Sequence, residues 1–563
     1  MKWINRMFFA VALSLFAGNM VMAEVDIERP AVLNGALLTV TVSDLHGLID
    51  GVGSVASQIS PMMNGTMLKN VIGMQLGDPQ LAGISSNKGL VVVALDASNV
   101  FAMIEVDAAQ FSAYTNALSP SGMQSMYRNG FLIVGQTADQ VAQGADYAEA
   151  AKNTLLAKRS PTLRIAMKPS ESLVKNNDQI QGMLAMMPMM MGMGMQQNPG
   201  TTPEAIQGLA RMLEGEVRIL LSMAQQVEAA EVTVIPTNGS IRIEKVLSPV
   251  AGSHLATLCN SPTENQWNSK LHSGVLGEGA IQLDFCIANP EALAIFVTAE
   301  AEQLIKEMEL GEAPLVKSYV ELMQKWAKAF GGTGCEVVQF GGGSGFGVAY
   351  LVEIKDEPAV LEMLKTMQAS TAGFLKLYED MGMPMAFEFK ENEREHVGVK
   401  IHQLKMSMSL EQMPAEQQGQ FNAMGLSNML YEIAIADGVM ACSMGEGKIE
   451  KLIDQLKDAK ESTSILKARS VYPAGAEFYC DYNIGQYLDF VAELIPETPS
   501  NPLSQIAAML ADAEPVTLAG YRNNGRLKWG VNVPGDLLVK VGQVIMMQQA
   551  KPQNTAPAGM SQP

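Results

Sequence analysis

Two stretches of this chain, roughly 245–315 residues apart, carry the same succession of strand-like and helix-like segments. That repeat limits the fold more than any other feature. Gly35 to Ser43 (GALLTVTVS) is strand-like and leads into a helical segment after Asp44. Gly279 to Ala288 (GAIQLDFCIA) does the same before Asn289-Pro290, a helix-start signal. A hairpin follows in each half. Gly89 to Asp96 (GLVVVALD) turns into Val100 to Asp107 (VFAMIEVD), and Glu336 to Phe340 turns through Gly341–Gly345 into Phe346 to Lys355. Amphipathic helices come next, with Phe111, Tyr114 and Leu118 in one half and Val360, Met363, Leu364 and Met367 in the other.

Three further correspondences keep the same order. Asn129-Gly130 introduces FLIVG as Asp437-Gly438 introduces VMACS, each before a helix; Thr162 to Lys168 matches Ala476 to Asn483. The last hairpins turn at Asn238-Gly239 and at Asn523-Asn524-Gly525, where both central residues tolerate positive φ. The second half has an extra hairpin, Met385 to Lys390 followed by Val397 to Met408, where the first has only Ser119 to Arg128. Hairpins dominate without regular βαβ alternation, so the expected fold class is α+β. The pattern predicts two tandem related domains, residues 24–262 and 270–548, each a mainly antiparallel sheet with helices packed on one face. The boundary is expected near Asn260 to Ser273, and residues 549–563 read as a disordered tail.

The first 23 residues have the form of a cleavable export signal. Met1 to Arg6 is basic, Met7 to Val21 is apolar, and Val21-Met22-Ala23 offers small residues before a cut at Glu24. Losing Lys2 and Arg6 with the leader takes the formal charge from −19 to −21. Such an acidic chain is unsuited to nucleic acid, whose binding rests on basic side chains displacing counterions, and to docking on anionic lipid. No later stretch has the 18 uninterrupted apolar residues of a membrane span. The expectation is an exported, soluble protein of the periplasm or the extracellular space. Five scattered cysteines (Cys259, Cys286, Cys335, Cys442, Cys480) include no CxxC pair and do not make a disulfide scaffold.

Catalytic and metal motifs are sparse. Of five histidines only His396 and His402 lie close in sequence; read as one strand, they share its polar face about 20 Å apart, too far for one ion. There is no HExxH and no GxSxG elbow, and the SxxK spacing at Ser85 to Lys88 lacks a KTG partner. No catalytic or cofactor-binding residue can be assigned. One segment stands out: Met183 to Met195 (MLAMMPMMMGMGM) holds 8 of the chain's 40 methionines in 13 residues. It can be a plain apolar loop, an adaptable surface for an apolar partner, or a soft thioether site for Cu(I) made by Met186, Met187, Met189, Met190, Met191, Met193 and Met195. Leucine at these positions spares apolar docking and abolishes copper binding, which separates the last two.

The leader, the paired halves and hairpin-then-helix units such as GLVVVALD…VFAMIEVD and NGFLIVG resemble uncharacterised secreted bacterial proteins built from tandem α+β repeats. The resemblance implies a bacterial envelope location and supplies no catalytic residues. Three functional readings follow: a non-enzymatic binding protein for a protein partner or apolar ligand, a Cu(I)-handling protein, and an enzyme with a site between the halves.

Overall fold

The computed structural model describes residues 27–60, 62–182, 186, 217–218, 220–237, 239–261, 267–268, 270–287, 289–307, 314–340, 346–370, 375, 385–409, 418–419, 422, 427–445, 447–458, 466–494 and 503–550. The leader and its cut, the Met-rich run apart from Met186, the loop Gly341–Gly345 and the tail from Lys551 lie outside the described residues.

The first half contributes strands β1 (Leu38–Val42), β2 (Leu90–Ala94), β3 (Val100–Glu105), β4 (Gln124–Arg128), β5 (Phe131–Gly135), β6 (Leu163–Met167), β7 (Val227–Thr237) and β8 (Ser240–Pro249). The second contributes β9 (Ile281–Cys286), β10 (Phe330–Phe340), β11 (Phe346–Ile354), β12 (Met385–His396), β13 (Val399–Met408) and β14 (Asn428–Ala436). It ends with β15 (Val439–Met444), β16 (Phe478–Tyr482), β17 (Val516–Asn523) and β18 (Arg526–Pro534). Among the helices, the first half has α1 (Leu45–Ile59), α2 (Gly65–Gln75), α3 (Phe111–Leu118), α4 (Ala138–Ala150), α5 (Pro169–Lys175) and α6 (His254–Cys259). In the second lie α7 (Ser273–Leu276), α8 (Pro290–Glu307), α9 (Pro314–Ala329), α10 (Glu357–Ser370) and α11 (Ile449–Asp458). Further on are α12 (Lys467–Val471), α13 (Ile484–Leu494), α14 (Leu503–Leu510) and α15 (Gly535–Ala550), the last running two residues beyond the expected domain end.

Among the described residues every strand pair is antiparallel, so the chain is α+β as expected, but the described strands form one sheet of 18 and not two separate sheets. Pairing places them in the order β4-β5-β3-β2-β1-β6-β7-β8 and then β18-β17-β16-β9-β10-β11-β15-β14-β13-β12. Read outward from the β8–β18 pair, the two arms have the same connectivity until β13 and β12 extend the second. Long strands β8 and β18 close on each other from Leu247 opposite Leu527 to Ser240 opposite Pro534, which satisfies what are otherwise two open edges. Helices cross the same seam: α15 packs on α1 and α6 on α8.

The expectation that helices cover one face only is overturned. Val91, Val93, Phe101, Met103, Phe131 and Ile133 pack under Val141, Ala145 and Ala148 of α4. Their neighbours Leu90, Ile104, Leu132 and Val134 point the other way, onto Leu45 and Ile49 of α1 and Tyr114 of α3. In the second half α11 and α10 divide the faces in the same manner. The physical cause is in the strands: LVVVA and FLIVG are apolar on both pleats, and both sides must be covered.

Two readings near the far edge also need correction. His396 and His402 do not share a strand, because Val397 and Gly398 adopt φ of 49° and 80° and reverse the chain between β12 and β13. His402 is buried, stacked on Phe389, and its Nδ1 accepts from the backbone N–H of Asn392, while His396 meets Asp454 through Nε2 at 2.9 Å. Strand β12 also runs on to His396 and exposes Glu388, Lys390, Glu391, Glu393 and Glu395. Those charges discourage a further strand from adding to this edge.

Candidate ligand-binding cleft

The extra hairpin sets up a concave site at the edge of the second half. By adding β13 beside β14 it carries the sheet past the reach of α11, and a cavity of about 250 Å³ opens between strand, helix and the segment that connects the two halves. Helix α11 turns Ile453 and Leu456 toward it, and Leu271 of the connecting segment closes the third side. The floor is Val399, Ala434, Ala436, Val439 and Ala441. Asn268, Lys270, Asp437 and Lys457 form a polar rim, where Lys457 donates through Nζ to the carbonyl of Val397 at 2.7 Å.

Comparing the two arms explains why there is space. Strands β4 and β5 turn at Asn129-Gly130, and β14 and β15 turn at Asp437-Gly438, all four residues having positive φ. Counting outward from each turn, Arg128 lies opposite Phe131 and Met126 opposite Ile133, where the second half pairs Ala436 with Val439 and Ala434 with Ala441. Phe131 and Ile133 fill the layer beneath α4. Valine and alanine in the same pleat positions leave the layer beneath α11 partly empty. Protein interiors are close-packed, so a void of this size lined by apolar groups is an exception with a specific cause.

The connecting segment is pinned from its other side. The carboxylate of Asp284, 1% exposed, accepts from the Ser273 N–H at 2.6 Å and from Arg469 at 2.8 Å. The Arg469 guanidinium lies over the rings of Trp267, at 4.9 Å, and Tyr479, at 5.4 Å. Burial pushes the Asp284 carboxyl up, with Arg469 opposing it; burial and then the Arg469 charge hold His272 down. The wall of the cleft is thus tied to the sheet by a buried ion pair and by a cation resting on aromatic faces.

Other sequence candidates find structural roles or fall outside the described residues. Ser85 donates to Asp107 at 2.7 Å and Lys88 pairs with the same carboxylate, so the SxxK spacing anchors a loop. All five cysteines are free thiols. Of the seven proposed copper ligands only Met186 is described, at 53% exposed; the other six lie outside. Among the described residues no group of three His, Cys, Asp or Glu could hold a metal ion, and no helix is long and apolar enough to cross a membrane. Sequence reasoning missed the cleft. Its signal was the contrast between IAIADGVMAC and MYRNGFLIV, readable only once the two hairpins are aligned on their turns. No family model, curated protein or solved structure matches the chain.

Proposed function

We propose that this is an exported, non-enzymatic binding protein made of two tandem related α+β units, and that its second unit holds a small apolar ligand, or an apolar side chain of a partner, in the alanine-floored cleft. The observation that carries the reading is the substitution of Phe131 and Ile133 in one arm by Val439 and Ala441 in the other, beside a rim that bears Lys270 and Lys457. An apolar floor with a few polar groups at the mouth suits a ligand with an aliphatic or aromatic body. The mirrored order of the strands about β8 and β18 supports descent from one duplicated unit. The basic start, apolar run and small-residue cut of the leader support export to the bacterial envelope.

Native mass spectrometry of the processed chain, together with titration by the apolar anion anilinonaphthalene sulfonate, tests the binding reading. An adduct or a saturable fluorescence rise is expected, and Ala441→Ile should remove it. A bare chain that also fails to bind the probe, or probe binding that Ala441→Ile leaves unchanged, would reject the cleft as the site.

A further inference from the structure

Helix α2 is fixed firmly yet faces solvent with its apolar side. Its N-terminus is capped by Asn64, whose Oδ1 accepts from the Met67 N–H at 3.0 Å. Lys69 joins Asp50 of α1 at 2.7 Å. The two helices approach so closely at Gly53 that a β-carbon there would lie 2.2 Å from the Gly65 nitrogen. Leu68 and Leu76 supply its contacts with the core. With the helix held in that rotation, Met63, Met67, Val71 and Met74 form one outward stripe and are 42%, 42%, 46% and 62% exposed. Across α1, helix α15 packs its Gly542 on Ile59 and presents Val541 and Ile545, 36% and 49% exposed.

We infer that this face, formed by α1, α2 and α15, is the contact surface between two copies of the chain. Its six named apolar side chains offer on the order of 500 Å² per copy, at the upper end of the roughly 300–600 Å² of the largest patch on a typical monomer, and two copies together reach the roughly 1,000 Å² of a small, reversible interface. Charge points the same way. The chain carries a formal charge of −19, yet residues 62–77 contain only Lys69, which is paired, and residues 541–550 contain no charge. Two acidic copies can meet here without burying unpaired carboxylates. A lipid surface fits less well, since the patch has no Arg or Trp and its Lys69 is already paired with Asp50, unlike the basic, Trp-bearing face of interfacial helices. A straight apolar stripe also matches itself under a two-fold axis, α2 against α2 of the second copy in antiparallel packing. Because α2 is already fixed, little ordering cost is left to association.

Sedimentation velocity of the full processed chain, from about 1 to 100 μM at about 0.15 M salt, decides the matter. We expect a reversible dimer whose Kd rises at least about 100-fold in Met67→Glu/Val71→Glu, since two carboxylates would enter an apolar contact. Val174→Glu, on α5 and already 78% exposed, should leave the dimer intact. If the double variant unfolds by circular dichroism, Met74→Glu, at the most exposed position of the stripe, takes its place and should give the same loss. A chain monomeric to 100 μM overturns the inference, as does a dimer that survives these substitutions.

Discussion

Ala441→Ile puts the packing account of the cleft to its sharpest test. Ala441 is 1% exposed in the full chain, lies at the pleat position held by Ile133 in the other arm, and borders a cavity of about 250 Å³. Isoleucine adds three carbons, and the cavity has room for them. At about 0.8 kcal/mol per buried CH₂, the added burial contributes about 2.4 kcal/mol. Fixing the isoleucine side chain costs about 0.5–1 kcal/mol. The expected net gain is therefore about 1.4–1.9 kcal/mol, accompanied by loss of probe binding. Ile133→Ala, the reverse change in the filled arm, should instead cost about 2–5 kcal/mol because it opens a void beneath α4. Urea unfolding followed by tryptophan fluorescence measures both. A loss of stability in Ala441→Ile would mean that the alanine accommodates a neighbour, and the argument for a functional void would fail. A neutral Ile133→Ala would equally undo the comparison of the two arms.

Further outcomes follow from the buried polar groups and close contacts. Arg469→Ala strands the Asp284 carboxylate and should cost about 3–5 kcal/mol at pH 8. The cost should shrink as the pH is lowered from 8 to 5, because burial raises the Asp284 carboxyl and removing Arg469 takes away what opposes that rise; equal losses at both pH values in urea titrations would refute the pairing. Burial raises the carboxyls of Asp284 and Asp481, and pushes Glu336 up to about 7 and Glu477 up to about 8. An unfolded chain releases the two glutamate protons near pH 4, so between about pH 4 and 8 folded Glu336 and Glu477 hold more of them, and stability should fall as pH rises. A urea midpoint that climbs over that window contradicts this. Gly53→Ala drives a methyl group into the Gly65 backbone and should cost at least about 2 kcal/mol, read by thermal unfolding, while the same change at the exposed helical residue Gly419, where nothing lies within 4 Å, should not destabilise the chain.

Much of the local structure is legible in the sequence because its signals are local. The turns at Asn129-Gly130, Asp437-Gly438 and Asn524-Gly525 all take positive φ, and the strands on either side pair through them. The helix after Asp44 begins where the sequence places it, with Asp44 accepting from the Gly47 N–H at 2.9 Å. Strands β4 and β14 are not anticipated. β4 is short, polar and mostly exposed, and its QSMYR lacks the alternation that marks a half-buried strand. The span from His396 to His402 looks like an unbroken strand because a Val-Gly turn is a weaker signal than Asn-Gly or Asp-Gly, and only the pairing of β12 with β13 places the reversal there.

By itself, then, the sequence determined the class of fold, the hairpins, most helix positions and the succession of segments that the two halves share, since apolar periodicity and turn chemistry act over a few residues. Only the tertiary structure decided that both halves lie in one sheet joined by β8 and β18, that helices cover both faces, and where the cleft and the exposed stripe on α2 stand. Edge pairing, two-sided burial and an unfilled layer depend on which distant segments meet, and no window along the chain contains that information. Asp284 and Arg469 make the point in miniature: 185 residues apart, they are an unremarked acid and base in sequence and a buried pair in space.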